Sequence, residues 1–161
     1  MHDSVSEIAA SIHWQFVERK LRLSVAESCT GGLISQALTA QPGASVFFDT
    51  GVVCYAISSK LRVLGLDEGL IAKHGAVSDE AALAMAQGVR RISGTDYALA
   101  ITGNLGPEPM EGKPVGHMHI AVATEGRTRS ADMTFEGGRE EIRQGAAEAA
   151  MWVLYNFVRG A

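Results

Sequence analysis

The sequence has few cysteines, few prolines and few aromatic residues. Its 161 residues include 2 cysteines and 4 prolines, and aromatic side chains make up 6% of the chain. Two cysteines are too few for a disulfide framework, so Cys29 and Cys54 are expected as free thiols; a disulfide between them is the less favoured alternative. With 47% hydrophobic and 20% charged residues, the composition is that of a globular protein rather than a disordered one.

Basic clusters and long apolar runs are also missing. The formal net charge is -4 and the arginines are scattered, which argues against nucleic acid as a partner. No apolar run approaches the roughly 20 residues that span a bilayer, and the amino-terminal MHDSVSEIAASIHWQF has neither a basic region nor a continuous apolar region of a signal peptide. We therefore expect a cytoplasmic protein without a membrane partner, built as one domain over residues 1–161.

The first half of the chain alternates helical and strand patterns. The predicted elements are a helix over residues 3–20, a strand at 21–26, a helix at 33–40, a strand at 46–56 and a helix over SKLRVLG capped by Ser58 or Ser59. The segment AESCTGG forms the exit from the first strand, and Gln41-Pro42-Gly43 ends the second helix.

The second half continues the alternation and ends in a hairpin and a long helix. The predicted elements are a helix at 78–92 capped by Ser78, a strand over DYALAIT, a loop at 103–116, a hairpin of strands 117–124 and 127–135, and a helix at 139–159. These elements predict an α/β fold with a mixed, partly parallel sheet.

The turn AESCTGG carries three nucleophile-capable side chains, Ser28, Cys29 and Thr30, between a strand and a helix. The open N–H groups of a helix start, together with Gly31-Gly32, favour binding of an anion or an oxyanion, whereas a plain N-cap is the structural alternative. If the strands before Ser28 and Thr102 are parallel, both residues lie at the sheet edge where α/β proteins bind ligands. Chemistry alone favours the thiol of Cys29, because it ionises more easily than a hydroxyl.

A serine nucleophile requires a base, and Lys60 is the candidate. A lysine desolvated at a sheet edge has a pKa below its ordinary value of about 10.4 and is then able to accept a proton. Tyr55 is placed to relay or orient that proton. The alternative is that Lys60 is a solvated surface lysine on a short helix.

Three further features have a functional and a structural interpretation. His117 and His119 share a strand face and with His74 form a possible metal-ligand set, but a strand-surface pair without metal is the expectation. The loop at 103–116 either covers a ligand or is a long connection. Arg139, after Gly137-Gly138 at a helix start, suits a phosphate, or it is a surface arginine paired with a glutamate.

Several motifs in fixed order resemble those of the CinA carboxyl-terminal-domain family, whose stand-alone members include nicotinamide-nucleotide amidohydrolases. They are AESCTGG, TGVVCYAISSK, LIAKHGAVSDE, DYALAITGNLGP, KPVG and FEGGREEIRQGA, and they cover almost the whole chain. The resemblance implies a single-domain three-layer α/β/α sandwich, a homo-oligomer, and hydrolysis of the carboxamide of nicotinamide mononucleotide to nicotinate mononucleotide and ammonia. It implies neither a metal nor a cofactor.

The resemblance also assigns residues to the site. The family's serine corresponds to Ser28, its lysine to Lys60, its tyrosine to Tyr55 and its hydroxyl residue at the next strand end to Thr102. Its late arginine corresponds to Arg139, with Arg143 as a second candidate for the phosphate. We further expect Thr30, Gly31, Gly32, Gly103 and Asn104, which follow the two strand ends, to bind the substrate. On this basis Ser28 is preferred to Cys29, which becomes a packing neighbour.

The chain departs from the family pattern at three positions near the predicted pocket. Ile57 stands where members often carry asparagine, and GNLGP replaces GIAGP, which introduces Asn104 and Leu105 before a short loop to KPVG. These changes define the alternative of a non-catalytic nucleotide-binding module with the same fold. A hydrolase or redox protein based on Cys29 is a third interpretation.

Overall fold

Six α-helices and five strands make up the part of the chain that the structure, a computed structural model, describes, residues 4–161. The predicted start of the first helix at residue 3 lies outside the described residues. The elements are α1 (Ser4–Arg19), β1 (Leu23–Glu27), α2 (Leu33–Thr39), β2 (Phe48–Val53), α3 (Ile57–Leu64), α4 (Glu68–His74), α5 (Asp79–Ser93), β3 (Tyr97–Gly103), β4 (His117–Ala123), β5 (Thr128–Thr134) and α6 (Arg139–Arg159).

The strands form one mixed sheet in the order β2-β1-β3-β4-β5. Strand β1 pairs in parallel with β2 and β3, whereas β4 is antiparallel to both β3 and β5. The predicted mixed, partly parallel sheet is therefore confirmed. The amide of Ser28 donates to the carbonyl of Ile101 at 3.1 Å, so the chain leaves β1 and β3 at the same edge, as expected.

The two faces of the sheet carry side chains of different size. Strand β3 reads Ala98, Leu99, Ala100, Ile101, and because strand side chains alternate, its alanines share one face and its large residues the other. The large residues pack with α1, α2 and α6, and the alanine face packs with α3, α4 and α5. This arrangement confirms the three-layer α/β/α sandwich.

Most predicted elements are confirmed, with differences at particular ends. Helix α6 has the predicted bounds, and Ser78 caps α5 by accepting from the amide of Ala81 at 3.1 Å. The predicted cap of α3 is wrong: the helix begins at Ile57, its N-cap is Ala56, and the hydroxyl of Ser59 donates to the Ala56 carbonyl.

The predicted strand at 46–56 is too long at both ends. Residues Ala44–Val46 form a short 3₁₀ turn before β2, and after β2 the amide of Cys54 donates to the carbonyl of Glu27 as the chain leaves the sheet. The sequence analysis also missed α4, whose seven residues follow the N-cap Asp67.

Helix α5 crosses α3 with very little space at Gly88. A Cβ at this position would overlap the carbonyl oxygen of Leu64 and lie 3.1 Å from its Cβ. Glycine within a helix costs about 1 kcal/mol relative to alanine. Since this glycine lies inside a 15-residue helix, the close crossing is the physical reason for it.

We expect Gly88→Ala to lower the free energy of unfolding by roughly 1–3 kcal/mol, because the added methyl forces α5 away from α3 despite its better helix propensity. Chemical denaturation measures the change. Gln87→Ala, at the exposed neighbouring position, is the control and should stay within about 0.5 kcal/mol of the wild type. Equal or higher stability of Gly88→Ala would contradict the tight crossing.

Candidate active site

A pocket of about 260 Å³ lies at the carboxyl edge of β1 and β3. Its walls come from the turn after β1, the start of α3, the segment before α5, the loop after β3 and the start of α6. The predicted site residues that line it are Ser28, Tyr55, Lys60, Thr102, Gly103, Asn104 and Arg139. The three positions that depart from the family pattern, Ile57, Asn104 and Leu105, line it as well.

Lys60 is buried against Ser28. Only 2% of Lys60 is exposed, and its Nζ lies 2.8 Å from Ser28 Oγ. Two main-chain carbonyls complete its surroundings, that of Cys54 at 2.8 Å and that of Tyr55 at 3.1 Å. The alternative of a solvated surface lysine is therefore wrong.

Burial of Lys60 shifts its protonation equilibrium toward the neutral amine. Burial lowers the pKa of the ammonium group, because a charge is poorly solvated there. A neutral amine has two N–H donors and one lone pair, and the carbonyls of Cys54 and Tyr55 accept the two N–H groups. The lone pair is then available for the hydroxyl proton of Ser28, which is the arrangement that a serine nucleophile requires.

The cysteines are free and neither is activated. Cys29 is 5% exposed, its Sγ lies 3.5 Å from Met118 Sδ, and burial raises the pKa of its thiol to about 12. Burial also raises the pKa of the Cys54 thiol. Both thiols are reduced, as expected, and Cys29 packs in the core beside the nucleophile candidate.

Glu27 is the residue of this region that the sequence analysis missed. Its side chain is fully buried and accepts five hydrogen bonds of 2.6–3.2 Å from the start of α2. The donors are the hydroxyls of Thr30 and Ser35 and the amides of Gly32, Ile34 and Ser35. An acidic residue at the end of an apolar strand, followed by hydroxyl and glycine residues, was the available signal.

Glu27 changes the interpretation of the helix start. We expected its donors to bind an anion, but the hydroxyl of Thr30 and the amide of Gly32 are already held by Glu27. Gly31 and Gly32 have φ values of +61° and +104°, a left-handed conformation that turns the chain back toward this carboxylate. The helix start thus binds an internal anion, and these residues shape the turn that carries Ser28.

Tyr55 contacts Lys60 through its main chain and not through its phenol. The side chain is largely exposed, and its hydroxyl oxygen accepts a hydrogen bond from Arg139 Nη2 at 3.0 Å. The predicted relay of a proton between the phenol and Lys60 is therefore wrong. The phenol instead forms part of the pocket mouth.

Thr102 and Gly103 end β3 at the pocket wall. Thr102 is 1% exposed and its hydroxyl donates to the carbonyl of Ala76 at 2.8 Å, which ties the segment before α5 to the sheet edge. A Cβ at Gly103 would overlap Met118 Sδ and lie 2.8 Å from the carbonyl oxygen of His117. Glycine therefore permits the close pairing of β3 with β4 beside the pocket.

Asn104 organises the loop that follows β3. Its Nδ2 donates to the carbonyl of Glu108 and its Oδ1 accepts from the amide of Gly106, both at 2.8 Å. Its main chain bonds His117 and Gly116 at the other end of the loop. The amide side chain that we assigned to a substrate is thus engaged within the loop that forms the pocket wall.

The two late arginines have different surroundings. Arg139 lines the pocket and bridges its mouth, since Nη1 donates to the carbonyl of Gly106 at 2.8 Å while Nη2 bonds Tyr55. Arg143 forms an ion pair of 3.1 Å with Glu140 and lines an adjoining cavity of about 310 Å³. The two spaces adjoin, because Cys29, Tyr55, Leu105 and Arg139 line both of them.

Each of the three histidines of the possible metal set has a polar partner of its own, although the rings of His117 and His119 also contact each other edge-on. His119 Nδ1 lies 2.8 Å from Asp79 and His74 lies 3.6 Å from Glu80, while His117 bonds Thr134. Within residues 4–161 no group of three or more His, Cys, Asp or Glu side chains is arranged to hold a metal ion. No helix in the same range has the length and apolar character needed to cross a membrane.

Comparison with known proteins gives the same family by sequence and by structure. The family described as the CinA C-terminal domain matches residues 5–158. A CinA-like protein of Frankia casuarinae is 46% identical over 144 residues, and one of Geobacter metallireducens is 47% identical over 137 residues. These alignments cover 89% and 84% of this chain but 33% of each relative, so the chain spans about a third of their length.

Solved structures of the family share the whole fold. A CinA superfamily protein from Klebsiella pneumoniae superimposes with a TM-score of 0.94 at 34% identity and covers 98% of this chain and 99% of that one. The competence/damage inducible protein CihA from Agrobacterium tumefaciens gives 0.92 at 36% identity, covering 97% and 96%. The sequence match and the shared fold agree, and the chain belongs to the CinA C-terminal domain family.

Proposed function

We propose that residues 1–161 form a single metal-independent amidohydrolase domain that converts nicotinamide mononucleotide to nicotinate mononucleotide and ammonia. Ser28 is the nucleophile and Lys60 the general base. The observation that carries this proposal is the buried 2.8 Å contact between Lys60 Nζ and Ser28 Oγ. The substrate comes from the family resemblance, and the placement of basic groups beside the pocket supports it.

In the first half of the reaction, Ser28 Oγ attacks the carboxamide carbon while its proton passes to Lys60 Nζ. The C–N bond of the resulting tetrahedral intermediate breaks, and the departing nitrogen takes the proton from Lys60 to leave as ammonia. An ester between Ser28 and the nicotinoyl group remains. The carbonyls of Cys54 and Tyr55 hold the amine in place through both proton transfers.

The second half consumes one water molecule. Lys60 accepts a proton from water as the oxygen attacks the ester carbon, and the proton then returns to Ser28 Oγ as the C–O bond to the serine breaks. The products are a carboxylic acid, which ionises, and the free enzyme. The same lysine thus acts as base and as acid in each half.

Arg139 is the proposed phosphate ligand. Arg139 lines both the catalytic pocket and the adjoining cavity, and its guanidinium bonds the exposed phenol of Tyr55, whereas Ser28 and Lys60 are buried. A mononucleotide has its carboxamide and its phosphate at opposite ends, so this separation of charge suits it. Arg143, in the adjoining cavity, is the second candidate, and its pairing with Glu140 makes it less available.

A non-catalytic nucleotide-binding module of the same fold is the alternative. In such a module a buried lysine beside a serine would lower stability without serving a function, because burying an ammonium group is unfavourable. The low exposure of Lys60 therefore favours the enzyme. We further propose that the protein acts in the cytoplasm as a homo-oligomer, without a cofactor and without a nucleic-acid or membrane partner.

Incubation with nicotinamide mononucleotide in the presence of a chelator should release ammonia and nicotinate mononucleotide. Ser28→Ala and Lys60→Met should each reduce kcat by about 10³-fold or more, and the double variant should be little worse, because the two residues act as one unit. Cys29→Ala is the matched control next in the chain and should retain most activity. An inactive but folded Cys29→Ala beside an active Ser28→Ala would assign the chemistry to the thiol.

The pH dependence of kcat/KM should show an acid limb caused by Lys60. Only the neutral amine accepts a proton, so activity should fall by about tenfold per pH unit below the pKa of Lys60 and level off above it. Because burial lowers this pKa, the limb should lie below the ordinary lysine value of about 10.4. Lys60→Arg should be inactive at every pH tested, since a guanidinium keeps its proton. A profile that is flat from pH 6 to 10 would argue against Lys60 as the base.

Arg139→Ala should raise KM for nicotinamide mononucleotide by about 10- to 100-fold and change KM for nicotinamide riboside much less, because a charge-assisted hydrogen bond contributes on the order of 1.5–3 kcal/mol. Steady-state kinetics on both compounds measures the difference. Arg143→Ala, one helical turn away, is the control and should give the smaller effect. Equal losses on mononucleotide and riboside would remove Arg139 from the phosphate site.

A further inference from the structure

Glu111 lies at the tip of a tight turn in the loop after β3. Met110 and Lys113 pair through two main-chain hydrogen bonds of 3.1 and 2.8 Å, so Glu111 and Gly112 are the two central residues of the turn. Both have positive φ values, +55° and +71°. Glutamate is a poor residue for the left-handed region, where Gly, Asn and Asp are preferred, so a contact of its side chain must hold it there.

That contact is made with the segment before α5. Glu111 Oε1 accepts from the amide of Ala76 at 2.9 Å, and Oε2 accepts from the amide of Val77 at 3.0 Å. Lys113 holds the same segment from the other side of the turn, through the carbonyls of Val77 and His74. Two consecutive amides that point at one carboxylate form a small anion-binding site, and Glu111 occupies it.

This internal anion belongs to the wall of the catalytic pocket. Glu111, Ala76 and Val77 line the pocket together with Ser28 and Lys60. A sphere of the pocket's volume is about 8 Å across, a distance over which a charge in a partly buried site acts strongly. Burial lowers the pKa of Lys60, and the charge of Glu111 acts in the opposite direction with a smaller effect, as expected for a carboxylate in the wall of the same pocket.

The Glu111 side of the pocket affects a carboxylate of a ligand differently from a carboxamide. A carboxylate meets the like charge of Glu111 and finds the amides of Ala76 and Val77 already bonded. A neutral carboxamide carries no charge to be repelled, and its nitrogen donates hydrogen bonds that the remaining lone pairs of a carboxylate accept. Lys113, 3.6 Å from Glu111, reduces the repulsion but does not line the pocket.

We propose that Glu111 is a specificity-determining residue that selects a neutral carboxamide over the corresponding carboxylate and so favours release of the acid product. This inference rests on the proposed function, because it names the ligand pair of that same pocket. It concerns binding and assigns Glu111 no part in the proton transfers.

The test is calorimetric binding of nicotinamide mononucleotide and nicotinate mononucleotide to Ser28→Ala protein, in which the amide is not turned over. Adding Glu111→Gln should tighten binding of the acid by about tenfold and change the amide by no more than about twofold, as expected for removal of one like charge across the pocket. Glu108→Gln removes the same charge from the same loop at an exposed position outside the pocket wall, and should change neither affinity. Thermal unfolding checks that each variant is folded.

An unchanged ratio of the two affinities in folded Glu111→Gln would overturn the inference, as would an equal change in Glu108→Gln. The same titrations with nicotinamide and nicotinate, which lack the phosphate, separate the inference from the substrate assignment. If Glu111→Gln shifts the ratio of nicotinamide to nicotinate affinity but the wild-type protein does not turn over the mononucleotide, the role of Glu111 is supported and the proposed reaction is rejected. Turnover of the mononucleotide with both ratios unchanged would support the reaction and reject the role of Glu111, and binding of neither pair would overturn the inference.

Discussion

The buried contact between Lys60 and Ser28 is the constraint around which this edge of the sheet is organised. An amine removed from water must have its hydrogen-bonding groups satisfied, or the burial costs several kcal/mol. The carbonyl of Cys54 supplies one acceptor for Lys60. Cys54 is held in place because its main-chain amide donates to the carbonyl of Glu27, the residue that precedes Ser28. The exit of β2, the start of α3 and the turn after β1 therefore depend on one another, and main-chain atoms hold Lys60 Nζ beside Ser28 Oγ.

Two internal carboxylates complete the electrostatic surroundings of the serine. Glu27 takes the donors of the α2 start, and Glu111 takes two amides of the opposite wall. Helix starts and paired amides attract anions from solvent, so leaving them open would place phosphate or carboxylate beside the nucleophile. In this protein those donors are satisfied from within, and the basic residues that line the pocket are Lys60 in its interior and Arg139 beside Tyr55.

Local patterns in the sequence predict the helices, the strands and the mixed sheet and make Ser28 and Lys60 candidates, whereas the family resemblance is what selects these two residues. Strand and helix periods gave the bounds of α6, and the strand-to-helix turn identified Ser28 as a candidate. The functions of Glu27 and Tyr55 were not predictable in this way. Glu27 is buried against a helix start, and Tyr55 contacts Lys60 through its carbonyl rather than its phenol. Both contacts depend on the direction in which side chains point after packing, and residue type does not encode that direction. Helix α4 was missed because its seven residues contain no fully buried side chain to give a period.

The small residues that surround α5 also affect the position of the pocket wall. Ala98 and Ala100 let α5 pack close to the strands, and Gly88 lets it pack close to α3. The segment that leads into α5 carries Ala76, which Thr102 ties to the end of β3. The packing distance between α5 and the sheet therefore affects the distance between Ala76, in the pocket wall, and Ser28. A methylene added there, well away from any reacting atom, would widen the gap, and catalysis is sensitive to displacements of about 1 Å. Under the proposed reaction, a substitution in this interior layer would therefore change the rate as well as the stability.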